Sequence, residues 1–230
     1  MAADSFLRLL QFSDGLFPAG GYAHSFGLET LVQSGRVQNA NDVAAFLCAY
    51  LESSAAPTDA VAALCARKYA LAGDLDACIR LDQYLDALKS PAELREASRQ
   101  MGRQTLRILK ELSSQCKFIS EFAAAGESGA TPCHHPVVLG LAAAANSWEP
   151  RDTASAFLYS TTAMVVGASL RLLPLGQLAG QRILADGGTL IAALSDSLLD
   201  QSEDDMWSFA PELEIAAMRH ESLDGRLFRS

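Results

Sequence analysis

The chain has 230 residues, half of them hydrophobic, and a formal net charge of −9 at pH 7. General nucleic-acid binding needs clustered lysine and arginine, and a net acidic chain is poorly suited to it even if local basic patches occur, so no nucleic-acid partner is expected. The length allows one large domain or two small ones. The five cysteines are odd in number and form no CxxC pair, which indicates a reducing, cytoplasmic compartment.

A charge-free run from Thr153 to Leu170 contains several serines and threonines. A membrane-spanning helix needs about 20 predominantly apolar residues. The run therefore predicts a buried helix of a bundle, and no contact with a membrane is expected. The first ten residues, MAADSFLRLL, are interrupted by charge too soon to form a signal peptide.

Apolar residues recur at helical spacing along the first half of the chain, and no useful period-two alternation is present. Asn41 is a candidate N-cap for an early amphipathic helix. Pro57 is predicted to open the next helix, because proline is favoured in a first turn. Gly73 followed by Asp74 predicts a helix end and a new N-cap.

A long helix is predicted to start at Ser90, because Ser90 and Glu93 have the spacing of a capping box around Pro91. Gly102 lies in the middle of this helix, where glycine costs about 1 kcal/mol relative to alanine. A glycine at such a position indicates close approach by another element.

The same helix carries a basic ridge of arginines at every fourth position beside its apolar stripe. Its members are Arg95, Arg99, Arg103 and Arg107. Glu96 can pair with Arg99 within the helix, whereas Arg103 has no acidic residue three or four positions away. The ridge is either paired with other helices or offered to an acidic partner, and the sequence leaves both interpretations open.

Cys133, His134 and His135 are weak candidates for a metal site, because thiolate and imidazole are good ligands for zinc and nickel. Adjacent ligands on one chain rarely converge on a single ion without help from elsewhere. The three residues belong to Ala123–Pro136, a stretch of small residues with two glycines and two prolines that predicts a loop. The loop is the favoured interpretation, and no metal site is assigned.

In the second half, Asp152 is a candidate cap for the apolar helix, which Pro174 and Gly176 interrupt. A turn is predicted at 186–188, and a short amphipathic helix at 211–218. Polar side chains flank the proline break, namely Arg171, Gln177 and Arg182. They either satisfy freed backbone carbonyls or make functional contacts.

The stretch RHESLDGRLFRS, residues 219–230, is polar, basic and short of core residues. Arginines beside a phenylalanine are typical of interface hot spots. A segment with so little apolar area frays or becomes ordered on a partner. The chain is therefore predicted to comprise a helical domain, 1–218, and a tail, 219–230, that a partner orders.

Recognisable catalytic motifs are absent from the sequence, which contains no GxxxxGK[ST], HExxH or GxSxG pattern. An enzyme is therefore not expected. The helical periodicity throughout predicts an all-α fold, a single-domain bundle of roughly eight to ten helices.

Five blocks, in the same order, resemble the UreF family of urease accessory proteins, and together they span nearly the whole chain. The blocks are LLQFSDGLFPAGGYAHSFGLE (9–29), ELREASRQMGRQTL (93–106), HHPVVLGLAAA (134–144), SLRLLPLGQLAGQRIL (169–184) and RHESLDGRLFRS (219–230). His24 and Phe26 depart from the family pattern, in which smaller or polar residues are expected.

The resemblance implies a non-catalytic, dimeric maturation chaperone. Such a protein binds the accessory protein UreD, also called UreH, and with it recruits the GTPase UreG to apo-urease. Nickel and carbon dioxide then reach the urease metal centre with GTP hydrolysis, which UreF has been proposed to modulate. The partners handle nickel and GTP, and no intrinsic cofactor is expected.

Partner contacts are expected in four places under this resemblance. The residues are Gln11, Ser13, Tyr22, Ser25 and Glu29 in the first block; Arg95, Arg99 and Arg103 on the ridge; Arg171, Gln177 and Arg182 at the break; and Arg219, His220, Glu221, Arg226, Leu227, Phe228 and Arg229 in the tail. Two other interpretations stay open: a small-molecule enzyme or sensor with an Arg/Gln/His-lined pocket, and a generic helical adaptor.

Overall fold

The computed structural model describes residues 3–230, which fold into helices and turns without a strand. The predicted all-α single domain is thereby confirmed, and residues 1 and 2 of the predicted 1–218 domain lie outside this range. The α-helices are α1 Ala3–Ser13, α2 Leu28–Gln33, α3 Ala40–Tyr50, α4 Val61–Ala72, α5 Leu75–Leu88, α6 Ala92–Leu112, α7 Lys117–Glu127, α8 His135–Ala145, α9 Pro150–Leu172, α10 Gln177–Ser197 and α11 Pro211–His220.

Helices α3 and α4 join through a π-helical section, Leu51–Ala60, into one continuous central helix. Pro57 lies inside this section and does not open a new helix, so that prediction was wrong. A proline inside a helix removes one backbone donor, and a wide π turn accommodates the loss. The carbonyl of Pro57 instead accepts the backbone N–H of Trp207, which lies in the segment before α11.

The core forms where α8 packs against α4 and α6, and where α9 packs against α10. Its largest fully buried side chains include Trp148, Phe122 and Leu28. Helix α9 is long and apolar enough to cross a membrane by length and composition alone. Most of its apolar window is buried by neighbouring helices, as is typical of a core helix.

Several predicted helix boundaries shift. Asn39 rather than Asn41 caps α3, with its side-chain oxygen accepting two backbone N–H groups. Helix α7 runs on to Glu127, which shortens the predicted 123–136 loop. No side chain caps α9, where Asp152 lies in the first turn. Helix α10 continues through Gly187 and Gly188, so the predicted turn is absent.

The prediction of close approach at Gly102 is confirmed. A Cβ atom built there would lie 1.8 Å from the carbonyl oxygen of Cys133, whose own φ is positive at 63°. Any side chain at position 102 would therefore push away the segment that leads into α8. The helix gives up about 1 kcal/mol of propensity at this glycine and gains a close contact between α6 and α8.

Candidate functional site

The tail, residues 219–230, lies along the connection between α1 and α2. The backbone N–H of Arg229 donates to the carbonyl of Ala23 at 2.8 Å. The hydroxyl of Ser25 donates to the backbone oxygen of Ser230 at 2.9 Å, and His24 Nδ1 lies 2.8 Å from the Ser230 hydroxyl. His24, which departs from the family pattern, thus contacts the tail directly.

Residues 227–230 alternate between the interior and solvent. Phe228 and Ser230 are buried, whereas Leu227 and Arg229 are exposed. This alternation is typical of an extended segment with one face on the protein. The structure therefore shows the tail packed on its own chain, and its ordering by a partner stays a prediction.

A buried carboxylate holds the tail in place. Glu29, at 1% exposure, accepts the backbone N–H groups of Leu227 at 2.7 Å and Phe228 at 3.0 Å. His220 Nε2 lies 2.9 Å from the same carboxylate. One side chain of α2 therefore binds both the end of α11 and the extended tail.

The fully buried ring of His220 connects Glu29 to a second carboxylate on α6. His220 Nδ1 lies 2.7 Å from Glu93, whose other oxygen accepts a bond from Arg226 at 2.8 Å. Each ring nitrogen of His220 therefore faces a carboxylate oxygen, one on α2 and one on α6. Glu29, Glu93, His220 and Arg226 are called the tail cluster below.

Burial alone would raise the pKa of the Glu29 carboxyl. The N–H groups of Leu227 and Phe228, together with His220, outweigh this effect and lower the pKa below its usual value. The ionised form of Glu29 is thus the form that the tail stabilises, and the tail in turn depends on it.

Glycine permits the close packing of α11 on the start of α2. Gly27 has φ of +86°, and a Cβ there would lie 3.1 Å from the backbone nitrogen of Ala217. Gly20, in the preceding turn, also has φ of +86°. These left-handed conformations explain why glycines interrupt an otherwise helix-forming sequence.

An open groove of about 850 Å³ lies beside the tail. It is bounded by the α1–α2 connection, the exposed face of α6, the end of α9 and the tail. Its lining residues are Pro18, Ala19, Gly20, Tyr22, Ala23, His24, Gln100, Arg103, Gln104, Arg171, Leu227 and Arg229. Residues expected at partner contacts in the first block, on the ridge, at the break and in the tail thus meet here, namely Tyr22, Arg103, Arg171, Leu227 and Arg229.

Arg171, near the end of α9, contacts both the α1–α2 connection and the tail. Its guanidinium donates to the carbonyl of Tyr22 at 2.6 Å and to that of Gly167 at 3.1 Å. The same group lies over the Phe228 ring, 4.3 Å from its centroid. These contacts fix Tyr22, which is 73% exposed, at the rim of the groove.

A second buried cluster surrounds the predicted loop before α8. Asp82 is fully buried and accepts the Thr131 hydroxyl, together with the backbone N–H groups of Cys133 at 2.6 Å and His134 at 2.9 Å. Burial raises its pKa to about 6, against the lowering effect of these three donors.

The His134 ring extends this cluster between α5 and α6. Its Nε2 lies 2.8 Å from Asp86 and its Nδ1 lies 3.0 Å from Ser98. Asp86 also accepts a bidentate pair from Arg99, with both contacts at 2.8 Å. Asp82, Asp86, Ser98, Arg99, Thr131 and His134 are called the mid-chain cluster below.

The Cys133, His134 and His135 side chains are directed to different partners. The thiol of Cys133 contacts the Thr131 carbonyl, and His135 Nδ1 lies 3.3 Å from the Thr105 hydroxyl. Across residues 3–230, no three side chains of histidine, cysteine or acid lie close enough together to hold a metal ion. Burial lowers the pKa of both histidines to about 4.

The other predicted contact residues lie apart from the groove lining. Arg95 donates to the carbonyl of Lys89 and Arg99 pairs with Asp86, so half of the basic ridge is used inside the fold. The rest are Gln11 and Ser13 in α1, Gln177 and Arg182 on α10, and Arg219 and Glu221 at the end of α11.

Sequence reasoning missed Glu93, Gln100 and Gln104 as site residues. The spacing of Ser90 and Glu93 predicts a capping box, yet Pro91 is the N-cap of α6 and no side-chain capping bond is made there. The carboxylate of Glu93 binds the tail instead. Only its position in the same block as the ridge could have suggested this role.

The fold and the site together define a class: an all-helical protein whose tail is held against its N-terminal connection as one surface by the buried His220 and the carboxylates of Glu29 and Glu93. The model of the UreF family matches residues 37–187. The urease accessory protein UreF of Trichodesmium erythraeum is 32% identical over 222 residues, covering 96% of this chain and 95% of the relative.

The urease accessory protein UreF of Jannaschia sp. is 34% identical over 224 residues, covering 97% of this chain and 94% of the relative. A protein of the same name from Arthrobacter sp. is 31% identical over 230 residues, covering 100% and 99%. This chain belongs to the UreF family of urease accessory proteins.

Proposed function

We propose that this chain is a cytoplasmic, dimeric urease maturation chaperone without catalytic activity of its own. With a UreD/UreH-type protein it recruits a UreG-type GTPase to apo-urease, so that nickel is inserted with GTP hydrolysis. Modulation of the GTPase is part of the same proposal. Nickel is the cargo of the assembly, and GTP is bound by the partner.

The observation that carries the proposal is the tail cluster. It joins the first and last family-like blocks, more than 190 positions apart, into one surface through Glu29 and His220. A chain that needed only to fold would gain little from presenting Tyr22 at the rim of an open groove. Large exposed aromatic residues on a rigid support are typical of recognition surfaces.

The alternative of a small-molecule enzyme or sensor has less support. The groove does contain arginine, glutamine and histidine, but it is open to solvent along its length rather than enclosed. An enclosed site that buries most of the ligand surface is typical of small-molecule binding. A pocket of about 60 Å³ next to the Asp59–Lys89 ion pair, and one of about 280 Å³ between the end of α1 and α9, are likewise open to solvent rather than enclosed.

The decisive experiment is co-expression of urease subunits with the accessory proteins, with and without this chain. Nickel per urease active site and urease activity are measured on the purified enzyme. Both are expected to fall strongly when this chain is omitted. Full nickel content without it would show that the proposal is wrong.

Removal of residues 225–230 is a sharper test than removal of the whole tail. It takes away Arg226 and Phe228 but leaves α11 and the His220 bonds to Glu29 and Glu93 in place. We expect lost co-purification with the UreD-type partner and a helical circular-dichroism signal close to that of the full chain. If the shortened chain still co-purified with the UreD-type partner, residues 225–230 would not be needed for binding that partner.

A further inference from the structure

The groove beside the tail is a positively charged patch on a protein that is acidic as a whole. Three arginines line it, and its described lining includes no aspartate or glutamate. The chain as a whole carries a formal charge of −9. A local field of the opposite sign to the net charge is typical of a surface that selects an oppositely charged partner.

Arg171 is held ready for such a partner. It donates to two backbone carbonyls and stacks on Phe228, but among residues 3–230 no carboxylate pairs with it. Neutral carbonyls leave its full positive charge uncompensated. Because its position is already fixed, a partner would lose little side-chain entropy on binding it.

Arg229 adds a second uncompensated guanidinium. Its backbone is bound to Ala23, and its neighbours Phe228 and Ser230 are buried, so the exposed side chain is carried on an anchored segment. Within the described chain, its side chain forms no ion pair. Arg103 does pair with Glu96 at 2.9 Å, but both side chains are about half exposed. Such surface pairs contribute about 0–1 kcal/mol and exchange easily.

We propose that this groove binds an acidic segment of a partner protein, with carboxylates taken by Arg171 and Arg229. The partner's identity rests on the proposed function: it is one of the urease maturation proteins. Guanidinium groups match carboxylates in a bidentate geometry. Gln100 and Gln104 supply neutral donors and acceptors that suit the backbone of an extended peptide.

A single phosphate group fits the groove less well. Phosphate sites are typically built from backbone N–H groups at a helix N-terminus or in a glycine-rich nest. Here the charged groups are side chains from α6, α9 and the tail, spread along a groove of about 850 Å³. This spacing favours several carboxylates on a chain over one compact anion.

The test measures fluorescence anisotropy of a labelled octaglutamate peptide with the full chain. We expect binding that weakens markedly between about 50 and 300 mM salt. Arg229→Glu should weaken it about tenfold, and Arg171→Glu with Arg229→Glu should abolish it. Arg80→Glu, an exposed arginine on α5, is the matched control and should bind like the parent.

Arg229→Glu keeps the test decisive, because this side chain forms no ion pair within the described residues and its loss should leave the melting temperature unchanged. Arg171→Glu removes the Tyr22 bond and could also loosen the loop. Equal peptide binding by the parent and Arg229→Glu would overturn the inference. Displacement of the peptide by inorganic phosphate as efficiently as by unlabelled octaglutamate would also overturn it.

A second arm separates this inference from the proposed function. The parent chain and both variants are tested for retention of the UreD-type and UreG-type proteins. Retention by all three would disprove the groove inference and leave the proposed function standing. If the parent chain bound the peptide but retained no maturation protein, the groove would bind acidic peptides and the proposed function would be wrong.

Discussion

The mid-chain cluster and the tail cluster are built from the same parts but hold different kinds of segment. In each, one carboxylate accepts two successive backbone N–H groups, and a buried histidine contacts a second carboxylate that pairs with an arginine. Each also has a glycine at a close contact: Gly102 against Cys133, and Gly27 against Ala217.

The difference lies in what each cluster can release. The segment 131–134 is fixed at both ends by helices, so it cannot leave Asp82 without opening the core between α5, α6 and α8. The tail is fixed by α11 at one end and can move into water. The same chemistry therefore contributes to global stability in one place and to local order of a surface in the other.

The largest expected effect is that of Asp82→Ala. It leaves the Thr131 hydroxyl and two backbone N–H groups buried without an acceptor. The free energy of unfolding should fall by about 3 kcal/mol or more in urea titration. Asp76→Ala, exposed on the same helix, is the control and should change it by less than about 0.5 kcal/mol. If Asp82→Ala lowered the free energy of unfolding no more than Asp76→Ala does, the mid-chain cluster would not contribute to global stability as the comparison requires.

Gly102→Ala should cost about 2–3 kcal/mol, because the added methyl meets the Cys133 carbonyl and the backbone must shift. Gly188→Ala is the matched control within α10, where nothing lies within 4 Å of the added atom. It should stabilise by about 0.5–1 kcal/mol, since alanine is the better helix former. Thermal melting of both variants checks the prediction, which fails if the two shifts have the same sign.

Acid should destabilise the fold between pH 6.5 and about 4. His24, His134 and His135 have their pKa lowered by burial to about 4, so the unfolded chain binds these protons first. Their contribution is present above pH 6.5 and is lost as the pH falls through 4. Asp82, with a pKa raised to about 6, opposes them, because its protonated form favours the folded state below that pH.

Three histidines have a lowered pKa and one carboxyl has a raised pKa, and their effects on stability oppose each other. The free energy of unfolding should therefore fall by roughly 2 kcal/mol per pH unit in the middle of this range. Urea titrations at pH 7.5, 6 and 5 measure it. His134→Gln should flatten the slope by about one proton, since the amide still contacts Asp86 but does not titrate. Unchanged stability down to pH 5 would contradict the assignment of neutral histidines.

Glu29→Gln should have the smallest effect on global stability, about 1–2 kcal/mol, because the tail can undock and hydrate its freed N–H groups. Its local effect should be larger. Hydrogen exchange at Leu227, Phe228 and Arg229 is expected to accelerate at least tenfold, with exchange in α4 and α8 little changed. If hydrogen exchange instead accelerated uniformly across the core, the tail cluster would contribute to global stability as the mid-chain cluster does, and the comparison would fail.

Local signals in the sequence were sufficient for the helices and for the close approach at Gly102. They failed where tertiary contacts override a local pattern. The Ser90–Glu93 spacing matches a capping box, yet Glu93 is drawn to His220 and Arg226 instead. Pro57 matches a helix start, yet a π section absorbs it within the central helix.

The candidate site was predictable only in parts. The block resemblance pointed to Glu29, Tyr22 and the tail, but not to their joining through His220. Hydrophobic periodicity reports which face of an element is buried, and it contains no information on which distant segments pair. The division of the basic ridge, with Arg99 inside and Arg103 in the groove, likewise depends on where α5 lies.

The bonds between Glu29 and the segment Leu227–Phe228 have a consequence for the order of folding. Residues 227 and 228 leave the ribosome almost 200 positions after residue 29, and contacts of such high sequence separation form late. During synthesis the Glu29 carboxylate therefore lacks its tail partners while the helices between residues 29 and 227 form. The groove acquires Leu227 and Arg229 only in this last step, so a stalled or clipped chain would already be helical yet lack the groove.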